Sequence, residues 1–174
     1  MKTYTYKVVG VTFKGNDGPR QKVLKGLFNG AVKEEADDFA LSFEEYDFEG
    51  SPALRVLLDG LDIGNIAAEQ VEDVKEIYAR CEKAEPELSI SGTTFGEYLD
   101  LLESWRTRKQ DLKDGIIDEY DIEDMKEQLD EIKEDPLYSA KICFYVKEPE
   151  DDLPKPEPEP EPEKKRFSLF RRKK

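Results

Sequence analysis

The chain has 174 residues, and 41 Asp and Glu against 27 Lys and Arg leave a formal charge of −14. It contains no histidine, which excludes a Ser-His-Asp or Cys-His nucleophile system and any His-bearing zinc site. The aromatic residues (9 Phe, 8 Tyr, 1 Trp) support a modest core, while a charged fraction of 39% means that much of the chain is solvated.

Residues 3–13 alternate as a strand, with Tyr4, Tyr6 and Val8 on one face and Val9, Val11 and Phe13 on the other parity. The switch beside Gly10 predicts a bulge or sharp bend. Gly15-Asn16-Asp17-Gly18 reads as a loop and Pro19 as a first helical residue. Val23, Leu24, Leu27 and Phe28 then form an apolar stripe closed by Asn29-Gly30. Phe39, Leu41 and Phe43 alternate as a second strand. Ala53 to Leu58 form a third, after a loop around Gly50 and Pro52. Asp59-Gly60 is a hairpin signal, followed by a short strand from Leu61 to Ile66. Ala67 to Tyr78 reads as helix with Val71, Val74 and Tyr78 inward.

Leu88-Ser89-Ile90 and Lys141 to Lys147 are further strands. Between them Thr94-x-x-Glu97 has the form of a capping box, and Tyr98, Leu101, Leu102, Trp105 and Leu112 follow at helical spacing. Gly115 is placed as a stop. Asp118 or Asp121 caps a second helix that carries Ile122, Met125, Leu129 and Ile132 on one face and ends at Pro136. The pattern predicts a helical hairpin inserted at about 93–137 into a strand-rich domain of residues 1–148. The alternative is two separate domains divided near Cys81.

Residues 149–163 form a Pro/Glu linker. From Pro154 to Glu163 proline stands at every second position, which forbids helix and a paired strand and predicts a polyproline II spacer of ~30 Å. The tail, residues 164–174, holds seven cations (Lys164, Lys165, Arg166, Arg171, Arg172, Lys173, Lys174) and no acid, interleaved with Phe167, Leu169 and Phe170. Residues 1–163 keep 20 basic and 41 acidic residues, a net of −21. Such a tail suits an anionic membrane surface, the phosphates of nucleic acid, or a return onto the acidic body. The two cysteines, Cys81 and Cys143, are read as free thiols. No apolar run reaches the ~18 residues of a membrane span, so a cytoplasmic location is expected, with the tail as a possible peripheral contact at the inner membrane surface.

The first eighty residues resemble the HIRAN domain. The likeness rests on VVGVTF (Val8 to Phe13), a helix beginning near Pro19-Arg20-Gln21-Lys22, the alternating FALSFEEY, and PALRV (Pro52 to Val56). It closes on DGLDIGNI (Asp59 to Ile66) followed at once by a helix. The resemblance implies a small β-barrel related to OB and SH3-like folds, of phage or bacterial type, that engages single-stranded DNA or its 3′ ends without chemistry of its own. Family members that bind DNA ends carry an Asn-Pro-Tyr-Asp stretch shortly before a strand. Here that place is taken by Tyr46-Asp47, displaced by three residues, or without a gap by Glu49-Gly50. Lys113 to Leu129 is similar, more weakly, to the short helical hairpin called SHOCT, which implies association with a protein partner; a generic helical hairpin accounts for the same residues.

The overall expectation is an α+β fold: a small OB/SH3-like β-barrel, an inserted helical hairpin, and a disordered Pro/Glu-rich tail with a basic tip. The candidate nucleic-acid contacts are Tyr46 and Phe48 as a stacking platform, Asp47 beside them, and Arg20, Lys22 and Lys25 tracking phosphates. The plainer reading makes Phe48 a cover for the barrel end and the cations a solvated helix face. The acid-rich stretch from Asp114 to Asp124 lacks the order of a calcium loop. No catalytic residue, metal or cofactor is predicted. The rival function is an acidic adaptor whose hairpin takes a protein partner while the tail holds it at a membrane.

Overall fold

Gly10 is where the architecture is decided. The computed structural model describes residues 1–147, so the linker and tail lie outside the described residues. Strand β1 (Lys2–Lys7) stops short of the expected 3–13 because the chain crosses there from one sheet to another. Val8 N–H donates to the Ala140 carbonyl at 3.0 Å, and Val9 exchanges two backbone bonds with Asn65 (2.8 and 2.9 Å). Gly10, at φ +70°, then turns the chain away. The bend at Gly10 was legible in the sequence; the expected continuation of the strand to Phe13 does not form.

Beyond the bend, β2 (Lys14–Gly15) and β3 (Gly18–Pro19) form a minimal hairpin. Helix α1 covers Arg20–Glu34. Pro19 precedes this helix in an extended conformation instead of opening it, and Asn29-Gly30 does not close it. Buried Phe28 and Ala31 on either side of that dipeptide hold the helix through it, outweighing a cost of ~1 kcal/mol for glycine. Strands β4 (Leu41–Phe48), β5 (Ser51–Leu58) and β6 (Leu61–Ile66) form an antiparallel meander. Both of its turns, Glu49-Gly50 and Asp59-Gly60, place two successive residues at positive φ, the geometry that matches strand twist.

A short 3-10 turn (Ala68–Gln70) leads into α2 (Val71–Arg80). Its inward residues are Val71, Val74 and Ile77. Tyr78, expected inside, is 45% exposed, although its ring lies edge-on to both Phe43 and Phe144. Strands β7 (Lys83–Ile90), β8 (Thr93–Thr94) and β9 (Tyr138–Val146) join β1 in a second sheet of order β1-β9-β7-β8. β7 is longer than its alternation announced. It keeps Pro86 because β7 pairs with β9 on one side while β8 reaches only residues 89 and 90 on the other. Helices α3 (Phe95–Lys113) and α4 (Tyr120–Glu134) stand between β8 and β9. The Thr94/Glu97 capping box opens α3, and Gly115 (φ +72°) follows its end.

The result is a mixed α+β fold with a curled, half-closed antiparallel sheet. One core serves the sheets and the hairpin alike. Phe28 of α1 meets Phe95, Tyr98 and Tyr138 edge-on at 5.3–5.8 Å, and Leu129 and Ile132 of α4 belong to the same buried cluster. Among the described residues no helix is long and apolar enough to cross a membrane.

Candidate nucleic-acid interface

The crossing of the segment after β1, at Val8 and Val9, onto β6 builds the floor of a groove. Gly64 (φ +154°) permits it: a Cβ there would lie 2.6 Å from the Val9 carbonyl oxygen and would overlap Val8. The register of β5 against β6 shifts between Val56 and Leu57, beside Gly64. The next residue, Asn65, is paired with Val9 through its backbone, and its side-chain amide sits 3.0 Å from the Tyr46 hydroxyl. With that amide donating to Tyr46 and to the Gly64 carbonyl, its oxygen accepts from Arg20 Nη1 at 3.3 Å.

Beneath this floor lies a buried ion network on Asp62, which is 1% exposed. Arg20 donates to both carboxylate oxygens, Nε to Oδ1 at 3.0 Å and Nη2 to Oδ2 at 3.1 Å, and Nη1 reaches the Gly10 carbonyl. Asp62 also accepts from Asn16 N–H and Gly64 N–H. A Cβ on Gly15 would approach Arg20 Nε to 2.8 Å, so glycine there lets the hairpin close over the pair. Arg55 completes the group. Its guanidinium stands 4.4 Å over the Tyr46 ring and pairs with Glu44. Its Nε lies 3.4 Å from Asp62 Oδ2 but is buried without a hydrogen-bond partner.

These parts line a groove of about 790 Å³ whose walls carry Phe13, Lys14, Tyr46, Phe48, Arg55 and Asn65. That size falls within the range of small-ligand sites, ~300–1,000 Å³. Phe13 and Phe48 are 70% and 59% exposed. Three cations (Lys14, Arg20, Arg55) and one carboxylate (Asp62) line it. Two other hollows have the opposite sign: one is bordered by Asp37, Asp38, Glu85 and Glu87 against Lys83, another by Glu123, Glu127, Asp130, Glu131 and Glu134 against Lys126.

The structure therefore brings Tyr46, Phe48 and Arg20 to one groove, and changes the part of Arg20. It is 6% exposed and saturated by Asp62 and Gly10, so it braces the groove and does not track phosphates at the surface. Lys22 and Lys25 are exposed on α1 and do not line the groove; Lys22 borders a separate hollow with Asp17 and Asp59. Asp47 accepts from Gly50 N–H and shapes the β4–β5 turn instead of facing the groove. Glu49-Gly50 is that turn itself. Sequence reasoning missed Lys14, Arg55 and Asn65 and placed Phe13 in a strand. Arg55 and Asn65 sit inside PALRV and DGLDIGNI, so the motifs pointed to them without assigning them a task. Cys81 and Cys143 are both half-buried and free, and burial raises the Cys81 thiol above its usual range.

Among the described residues no group of three His, Cys, Asp or Glu side chains is placed to hold a metal ion. Compared with known proteins, the chain matches no family model, no curated protein and no solved structure.

Proposed function

We propose that this chain is a HIRAN-like, OB/SH3-related binding module that takes single-stranded nucleic acid, including its 3′ end, in the groove between the Gly10–Lys14 loop and β4–β5. The observation that carries this reading is the pairing of two widely exposed rings, Phe13 and Phe48, with more cations than carboxylates, where two other hollows among the described residues are acidic. Bases unstacked from a strand bury their faces on such rings at ~1–3 kcal/mol each. Arg55, held in place by Tyr46 and Glu44, presents cationic character to an arriving phosphate or base edge. The module binds without catalysing a reaction. The acidic surroundings disfavour long duplex tracts, which demand a broad basic face.

Fluorescence anisotropy with labelled single strands ending in a 3′-hydroxyl or a 3′-phosphate tests this. A chain ending at residue 163 keeps every residue of the buried core cluster, and circular dichroism checks that it folds. Binding by that shortened chain, weakened ~5- to 100-fold by Phe13→Ala or Phe48→Ala in keeping with the loss of one stacked base, supports the groove. Binding confined to chains that keep residues 164–174, indifferent to both substitutions, overturns it.

A further inference from the structure

The helical hairpin ends in two exposed apolar side chains set among carboxylates. Ile116 and Tyr120 are 70% and 83% exposed at the turn between α3 and α4. Around them the stretch 114–135 holds eleven carboxylates and two lysines. Apolar side chains in so dense an anionic setting fit a ligand that is both cationic and apolar. Residues 164–174 of this chain have that composition: seven cations, no acid, and Phe167, Leu169 and Phe170 between them.

The topology brings the two within reach. α1 and β9 run in the same direction: Gln21 at the start of α1 binds the Tyr138 backbone, and Asp38 and Phe39 beyond its end share a hollow with Cys143 and Tyr145. α3 runs the same way again, since Phe95 and Tyr98 pack on Phe28 while Arg106 pairs with Glu35 at 3.1 Å. The hairpin therefore continues past the end of α1, by ~10 Å for the seven residues from Arg106 to Lys113 at ~1.5 Å each. This is the same end of the molecule at which β9 delivers the chain toward residue 148. The 16 residues between Lys147 and Lys164 span ~50 Å when extended at ~3.1 Å each, longer than α3 itself at ~28 Å.

We propose that the basic tail docks on the hairpin tip of its own molecule, with Phe167, Leu169 and Phe170 covering Ile116 and Tyr120 and the flanking cations meeting the carboxylates of α4. The contact removes the tail's charge and rings from other anionic surfaces, so it governs when the tail is free to act. It stands apart from the groove and does not depend on what the groove binds.

Amide hydrogen exchange on the full chain tests the contact. At low ionic strength, where the Debye length exceeds ~10 Å, amides of 114–121 exchange ~10-fold or more slowly in the full chain than in the Phe167→Ser/Phe170→Ser variant. Raised salt narrows the gap. The reciprocal variant, Ile116→Ser/Tyr120→Ser, loses the same protection at an unchanged melting temperature. Equal exchange at 114–121 with and without the tail rings overturns the proposal. So does protection that appears only as the protein dimerises in sedimentation, which assigns the tip to a second copy. A full chain that binds vesicles rich in phosphatidylserine through its tail with its 114–121 exchange unchanged also overturns it, because the tail was then not covering the hairpin tip.

Discussion

The groove and the helical hairpin both expose rings to solvent, and they are held by opposite physics. Under the groove, position comes from a buried polar network in which Asp62 gathers Arg20, the Asn16 and Gly64 N–H groups and the edge of Arg55. Under the hairpin, it comes from apolar contact, with Phe28 among three rings and Leu129 and Ile132 closing on the same core. The surfaces follow. Phe13 and Phe48 lie among cations, Ile116 and Tyr120 among carboxylates. A net charge of −14 thus matches the hairpin but not the groove, where Lys14, Arg20 and Arg55 stand against the buried carboxylate of Asp62.

Removing that carboxylate is the sharpest way to break the contrast. Asp62→Ala leaves Arg20 buried without its partner and is expected to cost ~3–5 kcal/mol, read by urea denaturation; a loss below 1 kcal/mol would show that the network is dispensable. On the hairpin side, Leu129→Ala should cost ~2–5 kcal/mol through an apolar cavity. Because the core is shared, the loss should lower one cooperative transition seen equally by far-UV and near-UV circular dichroism. Two separated transitions would divide the chain into barrel and hairpin.

A third comparison uses pH. Burial, reinforced by its bond to Asp73, pushes the Tyr6 hydroxyl up to about 12. A folded value above the unfolded one means that the stabilisation is complete below pH ~10 and is lost as pH rises toward 12. Tyr6→Phe should therefore flatten the alkaline limb of a stability profile while costing ~1–2 kcal/mol at neutral pH for the unpaired Asp73. An alkaline limb that persists unchanged in Tyr6→Phe would place its origin elsewhere. The smallest stability effect belongs to Phe48→Ala, within ~0.5 kcal/mol because the ring is largely in water. A larger loss in denaturation would make Phe48 a cover for the sheet and remove it from the binding surface.

Local signals were read well where the chemistry is local. Asp59-Gly60 turned as its residues require, the Thr94/Glu97 box formed, and Leu61–Ile66 came out with the expected bounds. Glu49-Gly50 and Ser91-Gly92 adopt the same left-handed pair of φ values with a weaker dipeptide signal, because tight strand pairing selects the turn there. Pattern failed where a long-range partner intervenes. Phe13 alternates like a strand residue, yet the strand ends at Lys7 because Ala140 and Asn65 capture Val8 and Val9. Arg20 looks like a surface cation, yet Asp62, 42 residues away, draws it inside.

What the sequence determined by itself was most of the longer elements, the helical hairpin between the last strands, and the separation of an acidic body from a basic tail, since periodicity, capping and charge act over a few residues. What only the tertiary structure decided was where those charges and rings meet. Tyr46, Phe48, Arg55 and Asn65 come from the three strands of a meander, Phe13 from a bend in the N-terminal segment, and Arg20 from the start of a helix. Their convergence depends on one crossing of the Val8–Val9 segment over β6 at Gly64, where only a residue without a Cβ leaves room for Val8 and the Val9 carbonyl. A steric condition of that kind joins positions 56 residues apart, and no local pattern in the chain records it.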